Sequence, residues 1–177
     1  HMEAGNRSKD ECLPEETNRR IVDVISDVNL PYSEPARKYL HELGMPKERT
    51  YVTGSPMAEV LRGNLDKIEA SDVLARMGLE KNKYILLSAH REENIDTDKN
   101  FYSLFNAINA LAEKYDCPIL YSCHPRSRKK LESTDFKLDP RVILNEPLGF
   151  NDYNNLQMNA LAIVSDSGTL PEESSFY

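Results

Sequence analysis

Leu161-Ala-Ile-Val-Ser-Asp166-Ser167-Gly168-Thr169-Leu170-Pro171-Glu172-Glu173 is the stretch on which the reading of this chain turns. A short apolar run breaks at Asp-Ser-Gly, and a proline followed by two acids then opens a helix. Proline suits the first turn of a helix, and acids there face the positive end of its dipole. Gly168 permits a sharp turn and a close approach by a ligand. Strand, glycine turn and helix N-terminus together offer free N–H groups to a phosphate. The Ser167 hydroxyl adds a donor, and Glu173, one turn into the helix, can accept from ligand hydroxyls. The same residues equally suit an ordinary connection between a strand and a helix, and this stretch alone does not separate the two.

Working back from it, a strand-helix alternation fills residues 83–177. Tyr84–Ser88, Pro118–Ser122, Val142–Leu144 and Leu161–Ser165 read as strands. Phe101–Tyr115, with Phe105, Ile108 and Leu111 inward, reads as an amphipathic helix, and shorter helices begin at Ser127 and Asn151. Strands alternating with helices imply a parallel, doubly wound sheet, which binds ligands beyond the carboxyl ends of its strands. Residues 67–82 are charged and helical, which suits a linker between domains. Before them, Pro14-Glu15-Glu16 opens a helix carrying Ile21, Val22, Val24 and Ile25 on its apolar side. Val28–Tyr32 and Thr50–Gly54 read as short strands; Ser33 caps a helix that Gly44 ends, and another begins at Met57.

The unusual side chains gather at strand ends. Tyr84–Ser88 leads to His90 and Arg91, Pro118–Ser122 to His124 and Arg126, and the last strand to Asp166-Ser167-Gly168. Two histidines and two arginines beside a possible phosphate cradle form a convergent polar set. A metal is the competing use of His90 and His124, but a third clear ligand is missing, and histidine beside arginine suits an anion better. Phe150 and Tyr153, on the same edge, can stack on a base, although aromatics at this spacing also serve simply as core. Upstream, Glu15 opens a helix, where an ionised acid is stabilised, and Asn18 and Arg19 point the same way one turn later.

The net charge of -7 argues against nucleic acid as a partner, because that role wants a basic face. No run is long and apolar enough for a membrane span, and none reads as a signal peptide. Cys12, Cys117 and Cys123 are odd in number and lack metal-like spacing, so the expected setting is reducing and cytoplasmic. Both ends look cut, and His1-Met2 reads as a scar of tag removal.

In order along the chain stand His1-x-Glu3-Ala4-Gly5-x-Arg7, Pro14-Glu15-Glu16-x-Asn18-Arg19, Val52-Thr53-Gly54 and Ala89-His90-Arg91-x-Glu93-Asn94. Glu146-Pro147-Leu148 and Asp166-Ser167-Gly168-x-x-x-Glu172-Glu173 complete the series. So arranged, the chain resembles the non-hydrolysing UDP-N-acetylglucosamine 2-epimerases of bacteria. The resemblance runs from end to end, and under it His1-Met2 need not be a scar, since the family has a histidine there. It implies an α/β fold of Rossmann-like parallel sheets in a glycosyltransferase-B-type two-domain arrangement, here truncated at both ends. Residues 1–66 would then be the C-terminal part of the first domain, 67–82 the linker helix, and 83–177 most of the UDP-binding domain.

The resemblance further implies inversion at C2 of a UDP-HexNAc. A proton leaves C2 as UDP leaves C1, giving an unsaturated glycal (a 1,2-ene), and UDP adds back as a proton arrives on the opposite face. Neither a metal nor any cofactor is needed. A weak carbon acid needs a placed base, and reprotonation on the other face needs a second acid. Glu3 and Glu15 match the family's catalytic carboxylates, and His90 matches a histidine that stabilises the departing diphosphate. Ser167, Gly168 and Glu173 match phosphate and ribose contacts, Tyr153 falls near the uracil site, and His124 and Arg91 are phosphate neighbours. Arg7 and Arg91 lie in motifs that hold a regulatory second UDP-sugar in some members. The full-length form is expected to be a homodimer.

Three departures bear on the substrate: Asn6 for a leucine, Glu92 for an arginine, and Thr169 for the second glycine of Asp-Ser-Gly-Gly. They resemble the branch acting on 6-deoxy UDP-HexNAc sugars in N-acetyl-L-fucosamine synthesis. A glycosyltransferase would share the fold and the uridine site without needing the glutamate pair. An inactive fragment is the remaining alternative, because half a cleft cannot hold a substrate on both sides.

Overall fold

The structure, a computed structural model, describes residues 1–9, 13–89, 97–123 and 125–177, with Arg126 described by its backbone alone. It divides into two compact units, His1–Ala58 and Glu59–Tyr177.

The larger unit is built on a parallel sheet. Strands β1 (Ile85–Ser88), β2 (Ile119–Ser122), β3 (Val142–Asn145) and β4 (Ala162–Ser165) lie in the order β3-β2-β1-β4. Register is continuous across it, with Leu87 opposite both Tyr121 and Val164. The two central strands are buried on both faces, as their unbroken apolar runs require. Successive side chains point to opposite faces. Ile85 and Leu87 therefore meet Phe101, Phe105 and Ile108 of α5 (Asp98–Tyr115) on one side. Tyr84 and Leu86 meet Leu156 of α7 (Phe150–Asn159) and Val73 of α4 (Val73–Met77) on the other. The Tyr84 hydroxyl donates to the Leu156 carbonyl at 2.6 Å inside that core. The larger unit also holds α6 (Pro125–Glu132) and α8 (Leu170–Phe176). Thr97 caps α5 by accepting the Asn100 N–H at 3.2 Å, and α5 ends at Asp116 in the left-handed region.

Residues 67–82, expected as a connecting segment, include the end of α3 (Met57–Glu69), all of α4, and the turn after it. They bury Ile68, Val73 and Leu79. Asp152 of α7 accepts the Ser71 hydroxyl at 2.6 Å and pairs with Arg76, so this stretch is tied to the sheet domain.

The smaller unit holds α1 (Pro14–Ile25), α2 (Glu34–Glu42), and a single 3-10 turn at Lys47–Arg49. Ser33 caps α2 through the Ala36 N–H, as its position predicts. The two stretches read as strands make only isolated parallel bridges, Met2 with Leu30 and Asn29 with Thr50. A strand is defined by its ladder, and among the described residues neither stretch has enough neighbours to extend one. Helix α1 is inside out relative to an ordinary amphipathic helix. Ile21, Val24 and Ile25 are 52%, 61% and 73% exposed, while its buried residues are Glu16 and Asp23, at 2% and 0%. A buried carboxylate is stable only where charged and N–H partners surround it. Both have them.

Candidate active site

In the sheet domain the strand sequence runs outward from β1 through β2 to β3, and β4 returns to the other side of β1. The direction of winding therefore switches between β1 and β4, and the crevice beyond their carboxyl ends is where such sheets take a ligand. At that place the Asp166 N–H donates to the Ser88 carbonyl at 3.2 Å, which joins the two strand ends. The Asp-Ser-Gly turn stands just above it. Ser167 N–H bonds to the Ser165 hydroxyl at 3.0 Å, and the Ser167 and Thr169 hydroxyls are 3.0 Å apart. Ser167 and Thr169 are exposed. Gly168 does not adopt a positive φ, and a Cβ placed on it would meet nothing within 4 Å. The turn itself therefore does not require glycine, and what the residue provides is open room.

Two predicted residues converge on this crevice. Burial raises the Tyr153 hydroxyl pKa, the nearby carboxylates Glu173 and Asp166 raise it further, and a hydrogen bond with Ser88 opposes them. Tyr153 from α7, Ser88 from β1, Asp166 after β4 and Glu173 from α8 therefore form one cluster. Glu173 is buried, and its Oε2 accepts the Gln157 amide at 2.6 Å. Tyr177 lies beside it, its hydroxyl donating to Asn154 at 2.8 Å; burial and the Glu173 charge push the phenol up to about 12. This gives Glu173 a fixed orientation. Phe150, the other aromatic singled out from sequence, is exposed. His90, Arg91, Glu92 and His124 lie outside the described residues.

The smaller unit carries the other candidates. Glu3 sits at φ 62°, one of three non-glycine residues in the left-handed region among the described residues. Its carboxylate accepts the Asn6 amide at 2.7 Å, so the residue standing where the family's leucine was expected holds the candidate base. Gly5, at φ 77°, packs so tightly that a Cβ would come 2.3 Å from the Ala36 carbonyl oxygen. Arg7 lies with its guanidinium 2.7 Å from Asp23 Oδ2. Glu15 is exposed at the start of α1, while its neighbour Glu16 is buried. Glu16 accepts the Ser8 N–H at 2.9 Å and Arg20 Nε at 2.8 Å. Burial alone would raise its pKa, but the Ser8 and Arg20 bonds outweigh it and hold the carboxyl below its ordinary value. The Ser8 bond also fastens the loop bearing Glu3 to the helix start bearing Glu15. Glu16 was read from sequence only as an acid at a helix start, and Asp23, Ser88 and Gln157 were not singled out. For the first two a signal existed: acids seven residues apart lie on one helix face, opposite the apolar stripe.

Among the described residues no group of three or more His, Cys, Asp or Glu could hold a metal ion, and no helix is long and apolar enough to cross a membrane.

The sequence profile of a family described as UDP-N-acetylglucosamine 2-epimerase matches residues 1–177. A UDP-N-acetylglucosamine 2-epimerase of Methanococcus maripaludis is 34% identical over 180 residues, covering 98% of this chain and 49% of that protein. The solved structure of a UDP-N-acetylglucosamine 2-epimerase from Rickettsia bellii superposes with a TM-score of 0.90 at 44% identity, over 99% of this chain and 46% of that one. A Methanocaldococcus jannaschii UDP-GlcNAc 2-epimerase, solved in complex with UDP-GlcNAc and UDP, superposes at 0.88 with 32% identity, over 99% and 50%. The chain thus spans about half the length of the relatives it matches. The α/β, Rossmann-like fold expected from the motifs is borne out by these superpositions. With its whole length matched and its strand-end turn and acid-bearing loop in place, this chain belongs to the UDP-N-acetylglucosamine 2-epimerase family.

Proposed function

We propose that the protein of which this chain forms part inverts C2 of a UDP-HexNAc, of the UDP-GlcNAc to UDP-ManNAc type, by eliminating and re-adding UDP. The observation that carries this reading is the family match over every residue of the chain. In it, Glu3 and Glu15 exchange protons with C2 on opposite faces, and His90 steadies the departing diphosphate. The open turn at Gly168 admits a phosphate, Ser167 donates to it, and Glu173 accepts from ribose hydroxyls. Tyr153 lies against the uracil, with Arg91 and His124 beside the phosphates. The UDP and UDP-GlcNAc held by the M. jannaschii relative support a nucleotide-sugar as the ligand. Balance is closed within the substrate: one C–H and one C–O bond break, both reform, and nothing is oxidised.

The bond from Asn6 to Glu3 supports a narrower second reading. A polar residue now sits beside the sugar-facing acid, which fits a modified, 6-deoxy UDP-HexNAc as substrate.

The test is an NMR spectrum of UDP-GlcNAc incubated in deuterated water with a complete version of the protein. Deuterium at C2 together with the manno isomer is the expected result. No label at C2, with sugar passed to an acceptor, overturns the reading in favour of a glycosyltransferase. Label arising only on a 6-deoxy UDP-HexNAc selects the narrower substrate.

A further inference from the structure

Among the described residues Asp23 is the most thoroughly enclosed charge in the smaller unit, fully buried on α1. What surrounds it comes from a single loop. The His1 ring Nδ1 lies 2.9 Å from Asp23 Oδ1, and the Gly5 N–H donates to the same oxygen at 3.1 Å. The Arg7 guanidinium takes the second oxygen. Positions 1, 5 and 7 are thus gathered on one carboxylate, with Glu3 at the midpoint of the gathered segment.

That midpoint is where the backbone is strained. A glutamate gains nothing intrinsic from a positive φ, because its Cβ crowds the following carbonyl. Such a conformation persists where the surroundings over-determine it, and strained residues of this kind cluster at functional sites. Here the surroundings are identifiable. His1 is fixed on one side of Glu3 and Gly5 on the other, by the same oxygen atom. Gly5 is further wedged against the Ala36 backbone, and the His1 carbonyl accepts the Leu30 N–H at 2.8 Å. Asn6 then fixes the carboxylate end of Glu3. The Asp23 backbone carbonyl also accepts the Asn29 side-chain amide at 2.9 Å.

We propose that Asp23 is a positioning residue for the proton transfer at C2: its carboxylate gathers His1, Gly5 and Arg7 and thereby sets the direction in which Glu3 presents its own. The proposal rests on the reading of Glu3 as one of the two bases. It also assigns Arg7 a first duty as the counter-charge of a buried acid, so any anion reaching Arg7 competes with Asp23. A buried acid so partnered loses all three contacts when truncated, whereas an amide of the same shape still offers Gly5 one oxygen.

The experiment compares Asp23→Ala and Asp23→Asn in a complete version of the protein. Misplacing a reacting group by about an ångström costs on the order of a hundredfold in rate, so Asp23→Ala should lower kcat by about that factor. Asp23→Asn should recover about a tenth of the lost activity or more, because the Gly5 bond survives. UDP affinity at the Asp166-Ser167-Gly168 turn should stay at the wild-type value in both, since the carboxylate partners His1, Gly5 and Arg7 are not among the residues proposed to hold the substrate's nucleotide there. Unchanged kcat in Asp23→Ala overturns the proposal, and so does a parallel fall of kcat and UDP affinity. If Asp23→Ala does not fold, Asp23→Asn carries the test through the same kcat-against-affinity split. A second readout is independent of turnover: the strong intraresidue amide-to-Hα NOE of Glu3 that a positive φ produces. It should be present in the wild-type chain, weakened in Asp23→Ala and retained in Asp23→Asn. If it persists unchanged in Asp23→Ala, Asp23 does not set Glu3. A complete wild-type protein without C2 exchange would instead reject the epimerase reading while leaving this NOE comparison intact.

Discussion

The two units achieve order by opposite means. The sheet domain buries Phe101, Phe105, Ile108, Leu86 and Leu120 on the two sides of a parallel sheet, and its charges lie mainly outside. The smaller unit turns the valines and isoleucines of α1 outward and buries two acids instead. Burial of apolar surface is non-directional, while a buried carboxylate is satisfied only by donors at set places. The first kind of core fixes a layer architecture and tolerates a mobile surface. The second fixes the course of one loop, and that loop carries Glu3.

The largest break in this contrast should come from the apolar side. Phe105→Ala removes a fully buried ring that meets Phe101, Tyr121 and Phe136, and should cost about 3–5 kcal/mol in denaturant unfolding of the sheet domain. Gly5→Ala attacks the smaller unit with a single methyl group. Strain at its positive φ, added to contact with the Ala36 carbonyl, should cost about 1–3 kcal/mol. Amide exchange should quicken at Gly5 and Ser8 and stay unchanged at Leu86. If Leu86 responds equally, the two units are not independent in stability.

Glu16→Gln sharpens the comparison with charge alone. The half-buried Ser8 N–H and the exposed Arg20 lose an ionic acceptor on a buried residue, and about 1–2 kcal/mol should be lost from the smaller unit. Titration reports the same interaction. The folded carboxyl ionises below its ordinary value of 4.5, so the unfolded chain binds the proton first as the solution is acidified. The contribution of Glu16 is therefore whole above about pH 4.5 and disappears as pH falls through the lowered folded value. Protection at Ser8 should fail in that acid limb before protection at Leu86, and Glu16→Gln should abolish the difference. The smallest effect is expected at Gly168→Ala, less than about 0.5 kcal/mol in stability, because the new Cβ meets no protein atom. Under the proposed function the same methyl group should weaken UDP binding, measured by calorimetry on a complete version of the protein. Unaltered UDP binding would remove the phosphate from this turn.

The sheet domain was legible because its signals are local. Tyr84–Ser88 and Pro118–Ser122 are apolar runs bounded by turns, and Ser33 announces its helix through a cap that the structure contains. The smaller unit resisted the same reading. Val28–Tyr32 and Thr50–Gly54 have the composition of strands, but a ladder depends on neighbours far away in the chain, and the described residues supply one bridge or two. The apolar stripe of α1 gives its period correctly and its orientation wrongly, since the partners of Glu16 and Asp23 sit in a loop the helical period does not see. Of the candidate site, Tyr153 and Glu173 were reached through motif position, and their meeting with Ser88 and Asp166 follows from sheet order. Asp23 escaped because an acid on a helix ordinarily reads as a solvated one.

Strand β4 closes one side of the sheet with a hydrogen-bonded neighbour only at β1 among the described residues. Leu161 just before it and Val164 within it are exposed, and no proline or lysine interrupts the segment from 161 to 165. A bare apolar border of this kind is a template for another chain's backbone, and natural sheets usually blunt it with charge or a bulge. Concentrated solutions of these 177 residues should therefore build side-by-side assemblies with time. A lysine introduced at Leu161, at the end of the strand away from the Asp166-Ser167-Gly168 turn, should delay them, which makes it a practical aid to keeping the chain dispersed.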